Sequence, residues 1–95
     1  MGTLHYSRIT LKLRGVYEAS LAPAIASALK MRPDSYIKSH PRRIVGGTPT
    51  LELDIVVTSR DRDYARASQS ELLSFLSGRI KDLGGEITSR RETAT

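Results

Sequence analysis

The residues of this chain best equipped for chemistry are two histidines, His5 and His40, and a close pair of acids, Asp61 and Asp63. Neither histidine has a Cys, Asp or Glu beside it at ligand spacing, so the cluster that holds a transition metal is missing. Asp61 and Asp63 would work as a general-acid pair only in a pocket that pushes their pKa values apart. Capping of a helix amino end and its dipole explain both acids without one. Ser68, Ser70, Ser74 and Ser77 crowd one segment, but none sits in a nucleophile-elbow pattern and no His follows as base. They suit a close helix–helix contact or solvent. Gly46-Gly47 lacks the Lys-Ser/Thr continuation of a phosphate loop. The chain reads as a non-enzyme, with no catalytic residue, metal ligand set or cofactor motif.

Binding chemistry is better represented. Lysines and arginines number 15 against 10 acids, a formal charge of +5. That balance favours acidic partners, nucleic acid first. Two clusters stand out. Lys38, His40, Arg42 and Arg43 lie on a strand-like segment and its turn, where the same charges would also protect a sheet edge. Arg60, Arg62 and Arg66 lie at the start of a long helix, where the dipole disfavours cations. Aromatic residues make up only 5% and there is no Trp, so base-stacking platforms are few. The absence of Cys excludes a disulfide framework and points to an intracellular, cytoplasmic protein. No apolar run approaches the ~18 residues of a membrane span.

The elements that must position these residues are legible from periodicity. From His5 to Arg14, Ile9, Leu11 and Leu13 alternate with Arg8, Thr10, Lys12 and Arg14, as in a half-buried strand. Residues 20–31 carry Leu21, Ile25, Ala28 and Leu29 at helical spacing, with Ser20 as the expected cap and Pro23 tolerated in the first turn. Residues 36–45 form a second strand that Pro41 confines to an edge. Gly46-Gly47-Thr48-Pro49 then turns into a third strand, residues 51–58, with Leu51, Leu53, Ile55 and Val57 on one face. Its acids, Glu52 and Asp54, complement Arg8, Lys12 and Arg14, which places the third strand beside the first. The last element is a helix over residues 63–83, striped by Ala65, Gln69, Leu72, Leu76, Ile80 and Leu83 and closed by Gly84-Gly85. Leu73 and Phe75 flank the stripe and widen its apolar surface.

These elements predict a two-layer α+β fold, β-α-β-β-α, with both helices on one face of a three-stranded antiparallel sheet in the order first, third, second. One domain is expected over residues 1–88, followed by a polar, flexible tail over residues 89–95.

Ala28-Leu29-Lys30 with Pro33-Asp34, and Arg66-Ala67-Ser68-Gln69-Ser70-Glu71-Leu72-Leu73 preceded by Ser59-Arg60-Asp61, resemble a known family. It is the smallest, dimer-forming subunit of the KEOPS complex, the polarised-growth chromatin-associated controller family. The similarity runs over about residues 7–83. The family's usual Asn falls where Gln69 or Ser70 stands, a departure that a diverged paralogue would show. The resemblance implies a non-catalytic homodimer that scaffolds the threonylcarbamoyl-transferase subunit and assists tRNA binding. It assigns partner docking to Arg66, Gln69, Leu72, Leu73, Phe75, Leu76 and Ile80. The residue chemistry alone leaves a second reading, a free-standing basic nucleic-acid-binding domain using Lys38, His40, Arg42, Arg43, Arg60 and Arg62.

Overall fold

A computed structural model describes residues 3–44 and 46–94. Its elements are β1 (His5–Arg14), α1 (Glu18–Met31), β2 (Tyr36–Pro41), β3 (Thr50–Ser59), α2 (Arg62–Asp82) and β4 (Glu86–Ala94). The four strands form one antiparallel sheet in the order β2-β3-β1-β4. This βαββαβ chain order is the ferredoxin-like, split-βαβ arrangement.

The core follows from the alternation of the two central strands. Register pairs Ile9 with Ile55, Leu11 with Leu53 and Leu13 with Leu51, so the apolar residues of β1 and β3 fall on the same face. Leu11, Leu53 and Ile55 are fully inaccessible, and Leu21, Ala24 and Ala28 of α1 with Ala65, Leu72, Leu76 and Ile80 of α2 close over them. Each fully buried aliphatic side chain contributes on the order of 1.5–3 kcal/mol.

Two local features fix the helices. Asp61 caps α2, its Oδ1 accepting from the Tyr64 amide at 3.1 Å. At the far end of α1, Arg32 donates from Nε to Ser68 Oγ at 3.2 Å and pairs with Glu71. Its guanidinium also lies 6.0 Å from the centre of the Tyr64 ring. One side chain thus ties α1 to α2, and Ser68 is buried in that contact.

The structure corrects four expectations. The predicted strand order is present, but the sheet has a fourth strand: residues 86–94, the larger part of them assigned to a flexible tail, pair with β1 from Glu86 opposite Arg14 to Ala94 opposite Ser7. Every residue of β4 is exposed, so no apolar alternation announces it; its backbone ladder, with a register shift opposite Lys12 and Leu13, holds it in place. Ser20 is not the cap of α1. The helix starts two residues earlier after Tyr17, which makes no side-chain cap, and Pro23 lies inside it. β2 ends at Pro41, which cannot donate to a ladder, and of the segment expected to continue it Val45 lies outside the described residues. Leu83, expected on the buried stripe, is 42% exposed because α2 ends at Asp82.

Gly15 is required by geometry. Its φ of 83° lies where L side chains strain, and an added Cβ would sit 3.3 Å from the Gly84 carbonyl oxygen. Its amide also donates to Pro49 O at 2.9 Å, joining the end of β1 to the start of β3. Gly15→Ala is expected to lower the unfolding free energy by about 1–2 kcal/mol, read from urea unfolding curves. An unchanged midpoint would show that the turn relaxes freely.

Candidate nucleic-acid interface

The face of the sheet turned away from the helices is polar, because strand alternation sends there every side chain that the core does not take. β1 contributes Tyr6, Arg8, Thr10, Lys12 and Arg14, and β3 contributes Glu52, Asp54, Val56 and Thr58. Through the ladders Tyr36, Lys38 and His40 of β2 join them, opposite Val56, Asp54 and Glu52. From β4 come Ser89, Arg91 and Thr93, opposite Lys12, Thr10 and Arg8.

Asp54 organises this face. It is 8% exposed although no helix covers it. Thr10 donates its hydroxyl to Oδ1 at 2.7 Å, and Arg8 donates from Nη2 to Oδ2 at 3.0 Å. His40 Nε2 lies 3.4 Å from the same Oδ2. Burial by itself pushes the Asp54 carboxyl up. The Thr10 hydroxyl, the Arg8 guanidinium and the nearby His40 outweigh it and hold the group below the usual carboxylate range. Arg8 is held correspondingly higher by its hydrogen bond to Asp54 and by that charge. Beside this paired centre, Arg42 bonds to Glu52 and Arg14 lies 4.0 Å from Glu86. Lys12, Lys38 and Arg91 have no ion pair among the described residues. Tyr36, on the same face, is 54% exposed. The arrangement is a flat surface with free cations and an aromatic ring around a neutralised centre. That suits phosphates and unstacked bases better than a deep reaction site.

The basic residues singled out in sequence divide between the two ends of the molecule. Lys38 and His40 lie on the open face, and exposed Arg42 and Arg43 follow β2. The Arg43 carbonyl accepts from the Thr50 hydroxyl at 2.6 Å. Arg60 and Arg62 stand beyond Ser59, at the other end of β3, eight residues or roughly 25 Å from the Leu51 end. The two clusters therefore do not form one site. The cations that bridge the distance, Arg8, Lys12, Arg14 and Arg91, come from the centre of the sheet and from β4. For the first three the signal was the polar side of the β1 alternation; for Arg91 there was none.

The residues assigned to docking also separate. Gln69, Leu72, Leu76 and Ile80 are buried within the chain and offer no surface. Gln69 anchors α2 to the sheet, its Nε2 donating to Ile55 O at 2.8 Å and Ser7 O at 3.4 Å. Leu73 and Phe75 are half-buried and pack against the core, and Arg66 is exposed. The outward side of α1 presents Ala19, Ala22 and Ala26 with half-buried Ile25 and Leu29. Among the described residues no three His, Asp or Glu side chains are placed to hold a metal. Among the described residues no helix is long and apolar enough to cross a membrane.

No protein-family profile matches the chain. A protein of Aeropyrum pernix is 34% identical over 74 residues, 78% of this chain and 28% of that one. A protein of Pyrobaculum calidifontis is 31% identical over 77 residues, 81% of this chain and 29% of its own length. The chain thus spans under a third of the length of these curated relatives. Among solved structures, AtUAH in complex with (S)-hydroxyglycine matches 95% of this chain with 27% of its own, at TM-score 0.68 and 10% identity. A hydantoinase/carbamoylase family amidase from Burkholderia ambifaria matches 99% with 28% of its chain, at TM-score 0.66 and 10% identity. The de novo designed protein Foldit4 matches 95% of this chain with 98% of its own, at TM-score 0.59 and 14% identity. At these identities the likeness is one of fold alone.

Proposed function

We propose that this chain is a non-catalytic accessory module that contacts tRNA, in the role that its resemblance to the smallest KEOPS subunit implies. The observation that carries the proposal is the helix-free face of the sheet, where Lys12, Lys38 and Arg91 stand without ion pairs around a neutralised Asp54. Free cations on a flat polar face meet phosphates by releasing counterions, and an exposed Tyr36 ring gives an unpaired base a surface to stack on. The module pairs as a homodimer and docks the threonylcarbamoyl-transferase subunit through its helical layer. With Leu72, Leu76 and Ile80 taken by the core, the half-buried Leu73 and Phe75 and the small-residue side of α1 remain for that contact. The reading places the protein in the cytoplasm.

The second reading, a free-standing nucleic-acid-binding domain, rests on the same open-face cations, Lys12, Lys38 and Arg91, which stand on three strands of the sheet. Titrating tRNA into the protein at rising salt tests the shared part. Lys12→Glu with Arg91→Glu is expected to weaken binding by about tenfold or more and to make the salt slope shallower by about two phosphate contacts. Binding indifferent to these changes would defeat both readings. Co-purification with the catalytic subunit from cell extract separates them, since only the accessory module retains it.

A further inference from the structure

On the opposite, helical side of the sheet two cavities adjoin where the first turns of α2 pass over β1 and β4. One, of about 280 Å³, is lined by Arg66, Gln69, Ser70 and Leu73 of α2 with Ser7 and Arg90 below. The other, of about 220 Å³, is lined by Arg62 and Arg66 with His5, Tyr6 and Ser7. Arg66, Ser7 and Ala94 border both, so they form one trough.

Its chemistry is specific. Arg62 and Arg66 lie four residues apart on one side of α2, and neither makes an ion pair among the described residues. Asp61, beside Arg62 in sequence, is spent on capping the helix, and Asp63 makes no ion pair among the described residues. Arg90 is paired with Glu92. The trough therefore holds two uncompensated positive charges, placed near a helix amino end where the dipole opposes them. A second observation points inward. Gln69 is 4% exposed and both hydrogen bonds of its side chain are donated, while its carboxamide oxygen is buried with no partner. The unspent capacity beside the trough is an acceptor. Ile9 and Leu73 supply an apolar wall.

We infer that this trough binds a phosphate monoester that also carries an N–H donor, the chemistry of a 5′-mononucleotide. A phosphate monoester carries a charge near −2 at neutral pH, which two guanidiniums match; a carboxylate would leave one of them unanswered. The base N–H then meets Gln69, and the combined volume suits a small ligand. The inference uses the helical side of the sheet and stands apart from the tRNA reading of the open face.

The test is calorimetric titration of the 95-residue chain with AMP, GMP, CMP, UMP, inorganic phosphate and glycine. At least one mononucleotide is expected to bind saturably, about tenfold tighter than inorganic phosphate. Arg66→Gln and Arg62→Gln should each weaken it by about tenfold. Both side chains are exposed, so thermal melts of these variants should match the parent. Lys81→Gln, in the last turn of α2 and outside both cavities, should leave mononucleotide affinity unchanged, and amide NMR shifts should cluster at Ser7 and Ser70. Failure of all four mononucleotides to bind at millimolar concentration overturns the inference. So does equal binding of inorganic phosphate, tighter binding of glycine, or affinity unmoved by Arg66→Gln.

Discussion

Leu76→Ala is expected to lower the unfolding free energy by about 3 kcal/mol and the melting temperature by roughly 12–24 °C. Leu76 is fully inaccessible, within the cluster formed by Leu11, Leu53, Ile55 and Leu72. Removing its side chain loses the transfer free energy of the deleted carbons and leaves a cavity beneath a helix whose first turns are fixed. Asp61 and the Arg32–Ser68 bond hold α2 in place, so little collapse can fill the gap. A 95-residue domain has about 5–14 kcal/mol in total, so the loss is a large fraction of its stability. The experiment also decides what α2 is for. A docking residue that the monomer does not need would weaken association and leave the melt of the isolated chain intact. A shift below about 2 °C would therefore remove Leu76 from the core.

Asp54→Ala is expected to lower stability by about 1–3 kcal/mol at neutral pH, because Thr10 and Arg8 both lose a charged acceptor. The figure stays below that of a fully buried pair because the Arg8 side chain is 43% exposed and regains water. The sign of the pH dependence follows from the depressed carboxyl. In the unfolded chain Asp54 titrates near 3.8, and in the fold below it. Its contribution is present above the unfolded value and fades as pH falls through the folded one. Parent and variant should differ fully at pH 6–7 in urea unfolding, and the gap should shrink as pH falls below 3.8. A gap that persists undiminished into acid would mean that packing, not charge, is what Asp54 supplies.

Side-chain pattern was enough to announce most of this fold. Ile9, Leu11 and Leu13 against Leu51, Leu53, Ile55 and Val57 mark two half-buried strands, since burial on one face leaves a period of two. The complementary charges of Arg8 and Asp54 gave a reason to set β3 beside β1, and the two are bonded across that ladder. Asp61 and Gly84 bracket α2 because capping and positive φ act within a few residues. β4 was invisible for the same reason that β1 was plain. Its stability comes from backbone pairing with β1, and Arg90, Arg91 and Glu92 bury nothing that would leave a periodic trace. Missing it also hid the ferredoxin-like order and the wall of the trough.

By itself, then, the sequence determined the central strands, the two helices, the strand order around β3 and the basic character of the surface, all of which depend on contacts at fixed local spacing. Only the tertiary structure decided which of two apolar roles each α2 residue plays. Helical periodicity places Leu72 and Leu73 side by side, but the distance to the sheet alone makes one core and the other half-exposed. It likewise decided that Arg8, Thr10, His40 and Asp54 meet, and that Arg62, Arg66 and Gln69 face β1 and β4 across a trough. Those groupings join residues as far apart in sequence as Ser7 and Ala94, and strand pairing, which no local spacing records, is what brings them together.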